Sequence, residues 1–545
     1  MEKNTDPVEA TQNENTPPVQ TSASLIRHGS TLSLLTLISR VLGLLREMTK
    51  ARFLGTTALS DAFSVAFLLP NLFRRLFAEG SISVAFIPTF KEYLLEGEKE
   101  KEKQAETREF LSCMFTFLTF FVTLAVCAGI LAAPLLVRIF GIEEFEETVF
   151  LTRVMFPFLA FISIAALFQG VLNSLHIFTP SGLAPILLNI ITILCTYILS
   201  PYTQNPARAM AAGILIGGFT EAAIQLPFIL KKGHTFFITG IKRAVNNPGT
   251  RKVLRLISPT IIGMAAYQLN DLIATALAGR AGEGVVSSLQ YSVRLQELFL
   301  GVFAVSIGTV LLPNLTEYAK TSQWDIYNRR LGSSLNIIAM ITIPVTFFSM
   351  AEGGNLIRLL FLGHSFDDQS VSLTLAAFTF HMPGLLFIAL NRIIAPAFYA
   401  QSDTKSPTAA GIISIAVNII LAAVLAGRFK GAGIAFALTF ASVVNTVLLV
   451  IFLGRKPNID IKAVIGPSLL YILKILILSA AAFVPVYLLS PVLCEIFAGR
   501  THVIAHGAPL AINALIYFLL GTALLAAVRD KNLKGLISMI KKKVK

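Results

Sequence analysis

Apolar stretches of about twenty residues recur through this chain from Leu32 to Ala527, the length at which a helix crosses a hydrocarbon core ~30 Å thick. Of the 545 residues, 54% are hydrophobic and only 14% charged, and the mean hydropathy is +0.72. Soluble domains carry about 25% charged residues. A chain this apolar cannot hide its surface in its own core, so its solvent is lipid. Alternating strands of ~10 residues, the mark of a membrane barrel, do not appear. The pattern predicts an all-α polytopic protein of about fourteen membrane helices. Kinks are expected at Pro70, Pro157 and Pro396.

The net charge of +14 suggests nucleic acid until the basic residues are placed. They cluster in alternate loops, at Lys91 to Arg108, Lys231 to Arg243, Lys320 to Arg330 and Arg455 to Lys462, and in the tail from Arg529. That is the positive-inside pattern, and it puts both termini in the cytoplasm. Residues 1–24 read as a disordered polar tail and 529–545 as a basic cytoplasmic tail. Cys113, Cys127, Cys195 and Cys494 form no CxxC pair and read as packing residues.

The chain also repeats itself. Pro88-x-x-x-Glu92-Tyr93 matches Pro313-x-x-x-Glu317-Tyr318, and Asn189-Ile-Ile matches Asn418-Ile-Ile. Ala212-Gly-Ile matches Ala432-Gly-Ile. The offsets are all close to 225, so each copy holds six helices. An even number inserts both copies the same way up, as two lobes about an axis along the membrane normal, with a substrate site between them. The organisation expected is a first lobe at 25–231, a linker at 232–250, a second lobe at 251–455 and two further helices at 456–528.

Ionisable groups inside apolar helices are the informative residues. Helix one carries Arg40, Arg46 and Glu47; helix two carries Asp61, Arg74, Arg75 and Glu79; Arg294 and Glu297 lie in helix eight, Arg392 in helix ten and Glu221 in helix six. Each charge at the bilayer centre costs about 2.5–3.5 kcal/mol, so these groups are expected to face one another or a water-filled cavity. Arg75 and Glu79, four apart, have the spacing of a structural pair. Glu221, one turn before Gln225, has that of a helix–helix contact. Arg46 and Glu47 are adjacent and are expected to point to different faces. Arg40, Arg46 and Arg294 outnumber their acidic neighbours. The guanidinium stays charged when desolvated and grips phosphate oxygens bidentately, so these three are the candidate anion site.

Catalytic patterns are missing. There is no GxxxxGK[ST] phosphate loop, no HExxH and no nucleophile elbow. His502 and His506 share a helical face but have no third ligand in sequence. No enzyme activity is expected.

Three blocks carry a family resemblance: Ser39-Arg-Val-Leu-Gly-Leu-Leu-Arg46-Glu47, then Asp61-Ala-Phe, and Leu69-Pro-Asn-Leu-Phe-Arg74-Arg75-Leu-Phe-Ala-Glu79-Gly80. With Tyr291-Ser-Val-Arg294-Leu, Gly308-Thr-Val-Leu-Leu-Pro313 and Ala395-Pro-Ala-Phe-Tyr399, they resemble the MurJ (MviN) lipid II flippases of the multidrug/oligosaccharidyl-lipid/polysaccharide exporter superfamily. The likeness runs from about residue 30 to 530. It implies two six-helix lobes, with the last two helices forming a groove for a polyprenyl tail. The implied cargo is an undecaprenyl-diphosphate-linked disaccharide-peptide, moved by alternating access across the bacterial cytoplasmic membrane. On this resemblance Arg40, Arg46 and Arg294 bind the diphosphate. Asp61, Arg74 and Glu79 serve gating or binding, and Glu47, Arg75 and Arg392 join them as gating or cavity residues. Expected partners are the lipid-linked substrate, membrane lipids and cell-wall synthesis proteins, with the chain a monomer and no nucleic acid bound. No cofactor is expected; a sodium ion or the membrane potential is the candidate energy source. The family's sodium pattern is incomplete, because Asn418 is present but Ala274 and Ala422 stand where carboxylates are common. An exporter of another lipid-linked oligosaccharide or of a small molecule is the alternative.

Overall fold

Lipid offers no hydrogen bonds to a bare backbone, so a spanning chain must satisfy its N–H and C=O groups within each segment. The computed structural model describes residues 22–75 and 81–534, and among these the regular structure is helical. The first half contains α1 (Ser22–Leu54), α2 (Ala58–Arg74), α3 (Ser81–Lys99), α4 (Lys101–Arg138), α5 (Phe145–Met155), α6 (Phe158–Ser174), α7 (Thr179–Leu199), α8 (Pro206–Ala223), α9 (Leu226–Lys231) and α10 (Ile241–Asn246). The second contains α11 (Pro248–Arg280), α12 (Val285–Lys320), α13 (Trp324–Phe361), α14 (Asp368–His381), α15 (Gly384–Tyr399), α16 (Lys405–Gly454), α17 (Ile461–Ile496) and α18 (His502–Ala527).

Among the described residues, eight helices or collinear helix pairs are long and apolar enough to cross a membrane, and nine if the bent pair α14–α15 is one span. The proline expectations need correction. Pro157 lies at the break between α5 and α6, but Pro70 and Pro396 sit inside α2 and α15. Helix ten instead bends by 45° between α14 and α15, beside Met382 and Pro383. Helix eleven meets helix twelve at Lys430, whose left-handed φ of 48° interrupts α16. The expected tail to residue 24 is also too long, since α1 begins at Ser22: polarity marks where the membrane starts, not where the helix does. The linker is folded too. Backbone atoms of Phe237 and Thr239 bond to Ser112 and Thr116 of α4, and α10 follows.

Among the described residues two large apolar cores form, beside a small cluster of Ala482, Val486 and Tyr517 between α17 and α18. One gathers α2 to α8 and takes Ala422, Ala426, Ile434 and Ala437 from α16. The other gathers α12 to α17 and takes Ala51 from α1. The halves thus exchange helix ends at the level of the α1–α2 and α11–α12 turns, called the turn end below. Two glycines permit that approach. Gly55 has φ +57°, and a Cβ there would fall 1.8 Å from the Ser365 carbonyl oxygen. Gly284 has φ +75°, and its Cβ would fall 2.3 Å from that of Thr56. At the opposite end Asp403 joins two loops, accepting from Ser406 N–H at 3.0 Å and pairing with Lys456 at 2.6 Å. Burial pushes this carboxyl up, but the Lys456 and Ser406 donors outweigh burial and hold it far below the usual carboxylate range.

Gly55→Ala therefore forces a side chain into both a left-handed backbone and a backbone oxygen. Its thermal midpoint should fall by the equivalent of about 2–3 kcal/mol, while Gly240→Ala, which meets nothing within 4 Å, should stay within about 0.5 kcal/mol of wild type. Fluorescence-monitored unfolding of the detergent-purified protein measures both.

Candidate functional site: an arginine-lined chamber between two lobes

Once charged groups must avoid lipid, the surface where two lobes face each other is the place left for them. A chamber of about 680 Å³ lies there. Six arginines line it: Arg40 and Arg46 from α1, Arg74 and Arg75 at the end of α2, Arg294 from α12 and Arg392 from α15. Only two carboxylates, Glu221 and Glu297, share the wall among the described residues. Asn71, Gln169 and Asn189 add neutral hydrogen-bonding groups. The first lobe supplies four of the arginines and the second supplies two.

Arg46 and Arg294 are tied to acidic partners. Arg46 pairs with Glu47 at 2.9 Å, which corrects the expectation that adjacent residues diverge: two long side chains curl to one point although their Cβ atoms do not. Arg294 bridges Glu297 at 3.0 Å and reaches the same Glu47 oxygen at 3.6 Å. Glu47 thereby sits between an arginine of each lobe. Arg40 and Arg392 make no ion pair among the described residues. The Arg40 guanidinium instead crosses to the second lobe and rests over Gly301 of α12, where an added Cβ would fall 1.5 Å from its Nη1. Arg74 donates from Nε to Asn71 at 2.7 Å.

A smaller space of about 290 Å³ adjoins the first and shares Arg46, Arg75, Arg294 and Glu297 with it. It is lined further by Glu47, Asn270, Asp271, Gln290, His381 and Asn418. Arg75 reaches Asp271 of α11 at 3.7 Å, an inter-lobe contact. Its expected partner Glu79 lies outside the described residues. Asn418 donates to Asn270 at 2.8 Å, so an amide pair joins α11 and α16 beside Ala274 and Ala422. His381 lies at the bend of helix ten and contacts Ser292 Oγ at 2.6 Å.

Asp61 lines neither space. It is 2% exposed at the turn end, one turn before Ser64. Its two oxygens accept the backbone N–H groups of Gly284 and Ser287, each at 2.8 Å, where α12 opens. Glu283 does the reverse, accepting the N–H of Ala58, the first residue of α2, at 2.9 Å. Each helix N-terminus, with its free N–H groups and positive dipole end, is capped by a carboxylate from the other lobe. Residues 58 and 283 are 225 apart, the offset of the sequence repeat, so this contact lies at the pseudo-two-fold axis. Tyr291 reinforces it by donating to the Gly55 carbonyl at 3.1 Å.

Sequence reasoning missed Lys50. It is 3% exposed, donates to Ser64 Oγ at 2.6 Å and Gln290 Oε1 at 3.1 Å, and lies 5.0 Å from the centre of the Tyr291 ring. The signal was present: a lone lysine one turn after Glu47, still inside the apolar run. The sequence places Asp271 one turn before Ala274 of the incomplete sodium pattern, and gives no sign of Gly301. Glu221, one turn before Gln225, reads in sequence as part of a polar helix–helix contact. Its side chain lines the chamber, and Gln225 bonds to the backbone oxygens of Ala165 and Glu221.

Two facing helical lobes, one end latched and a cationic chamber between them, define a membrane carrier for an anionic cargo. The chain belongs to the lipid II flippase MurJ family, whose profile matches residues 50–504. It is 43% identical over 514 residues to a protein of Treponema pallidum named "Probable lipid II flippase MurJ", covering 94% of this chain and 98% of that one. It is 32% identical over 443 residues to the lipid II flippase MurJ of Burkholderia cenocepacia, covering 79% and 84%. Among solved structures, a lipid II flippase MurJ in an inward closed conformation superposes with a TM-score of 0.74 at 24% identity, over 91% of this chain and 99% of that one. An inward-facing multidrug resistance MATE family transporter of the MOP superfamily gives 0.65 at 14% identity, over 76% and 94%. These two likenesses concern the fold.

Asp61→Ala should loosen the turn end by about 1–2 kcal/mol, the worth of a helix cap, or roughly 5–30-fold in the latched-to-open ratio. A reporter Ala166→Cys on the chamber wall, in a background without the four native cysteines, should react faster with an impermeant maleimide added on the turn-end face. An unchanged rate would show that the carboxylate does not hold that end shut.

Proposed function

We propose that this protein carries lipid II, the undecaprenyl-diphosphate-linked disaccharide-peptide, from the inner to the outer leaflet of the bacterial cytoplasmic membrane by alternating access. The observation that carries the reading is the arginine chamber split between lobes. A diphosphate that bridges Arg40 and Arg46 of one lobe to Arg294 of the other supplies the negative charge the chamber lacks. Binding then favours whichever state brings those arginines closest, and a ligand drives a transition only through such unequal binding. Arg74, Arg75 and Arg392 extend the positive wall, and Asp61 with Glu283 latches the turn end until the lobes rock apart.

Loop charge supports both termini on the cytoplasmic side and the turn end outside. The last two helices present Leu470, Ile477, Leu488, Leu515 and Phe518 to lipid, a surface suited to a polyprenyl tail that stays in the bilayer. The membrane potential acts on net charge moved, at ~2.3 kcal/mol per charge per 100 mV, and the surplus arginines are where it acts. The chain transports and does not catalyse, works as a monomer and hands its cargo to cell-wall synthesis proteins.

The test uses cells depleted of the protein, asking whether the lipid-linked precursor is reachable by a degrading enzyme added outside the inner membrane. Wild type should restore access, and Arg46→Ala and Arg294→Ala should not, although both insert normally. Losing a charged hydrogen-bond donor costs about 1.5–3 kcal/mol, or roughly 10–150-fold in affinity. Gly301→Val should weaken cargo binding with every charge retained, because it unseats Arg40. Normal transport by Arg46→Ala would remove the diphosphate clamp.

A further inference from the structure

A second buried polar cluster lies away from the chamber, where the last two helices meet α13. Glu352 of α13 is 1% exposed within a span that is apolar on either side. It accepts from Asn513 of α18 at 2.6 Å and from Asn355, one turn along α13, at 2.8 Å. Asn355 also reaches Ser490 Oγ of α17 at 3.3 Å, and Cys494 donates to Asn355 Oδ1 at 3.3 Å. Three helices therefore converge on the Glu352–Asn355 pair. Among the described residues no lysine, arginine or histidine pairs with it.

Two features separate this cluster from a neutral polar contact. A glutamine at 352 would serve one amide as acceptor without bringing a charge into hydrocarbon, where an uncompensated carboxylate is costly. Second, Asn513 Oδ1 and Ser349 Oγ are buried with no hydrogen-bond partner, although Asn513 and Ser349 are 0% and 2% exposed. Ser349 precedes Glu352 by one turn on the same face of α13, and the Asn513 amide is already in contact with the carboxylate. A proton on Glu352 would cancel the charge but would engage a single oxygen. A small cation cancels the charge and engages several oxygens together. One carboxylate matches one positive charge; a divalent ion takes more carboxylates and would leave net charge in the bilayer.

We propose that Ser349, Glu352, Asn355, Ser490 and Asn513 form a binding site for sodium that ties α17 and α18 to α13. This site is separate from the α11–α16 position, where Ala274 and Ala422 offer no oxygen ligands from their side chains, and it does not depend on the cargo. Sodium held there sets how firmly the tail-facing helices follow the second lobe.

The experiment is equilibrium binding of radioactive sodium to the full-length protein in lipid nanodiscs, with choline chloride holding the ionic strength. Wild type should bind saturably, with competition by unlabelled sodium. Glu352→Gln, which keeps the size of the side chain and an acceptor oxygen, should weaken binding by roughly tenfold or more, and Asn513→Ala should weaken it less. Glu495→Gln, exposed on α17 near the cluster, should bind as wild type. Sodium should also raise the thermal midpoint of wild type but not of Glu352→Gln. Absence of saturable binding in wild type, or equal binding by Glu352→Gln, overturns the proposal and leaves a hydrogen-bonded contact among three helices.

Discussion

The carboxylate of Asp61, set against the N–H groups that open α12, is the contact on which the arrangement of this protein depends. A helix N-terminus buried between two lobes needs acceptors, and here each lobe supplies them to the other, Asp61 to α12 and Glu283 to α2. Because α2 and α12 occupy equivalent places in the repeat, one exchange satisfies both ends at the axis. Gly55 and Gly284 let the backbones approach closely enough for it. With the lobes fastened at this end, the arginine chamber lies further along the interface between them.

The electrostatics grade along the same axis. At the latch, carboxylates meet backbone dipoles. One turn in, Lys50 is spread over a hydroxyl, an amide and an aromatic face. Next come Glu47 and Asp271, each in contact with arginine, and then the chamber, where arginine is in excess. Along this line the excess of arginine over carboxylate falls in the larger of the two adjoining spaces. Arg40 sits over a glycine and, among the described residues, makes no ion pair.

Much of this could be read in the sequence because lipid makes a charge informative. A lone arginine in an apolar run has few places to go, and that argument alone brings Arg40, Arg46, Arg74, Arg75, Arg294 and Arg392 to a shared interior. The near-constant offset of the repeated motifs likewise predicts two lobes. What stayed hidden depends on contacts between helices far apart in sequence. The partner of Arg75 is on α11, 196 residues away, and no periodicity within α2 reveals it. Proline marks where a break is tolerated but not where tertiary packing puts it, so the bend of helix ten fell beside Pro383. Glu352 is likewise a charge in an apolar run, but its surroundings were hidden for the same reason as the partner of Arg75, because Asn513 and Ser490 come from α18 and α17.

The seat of Arg40 on Gly301 has one more consequence. An arginine rooted in one lobe rests on the backbone of the other, so the distance between cations is set by the angle between the lobes. Rocking them changes the spacing of the grip as well as the side from which it is reached. On the proposed reading, a diphosphate reaches only a short way between its terminal oxygens, so the grip holds it better at one angle than at another. On that reading the chamber acts as a caliper whose jaws let go as they turn.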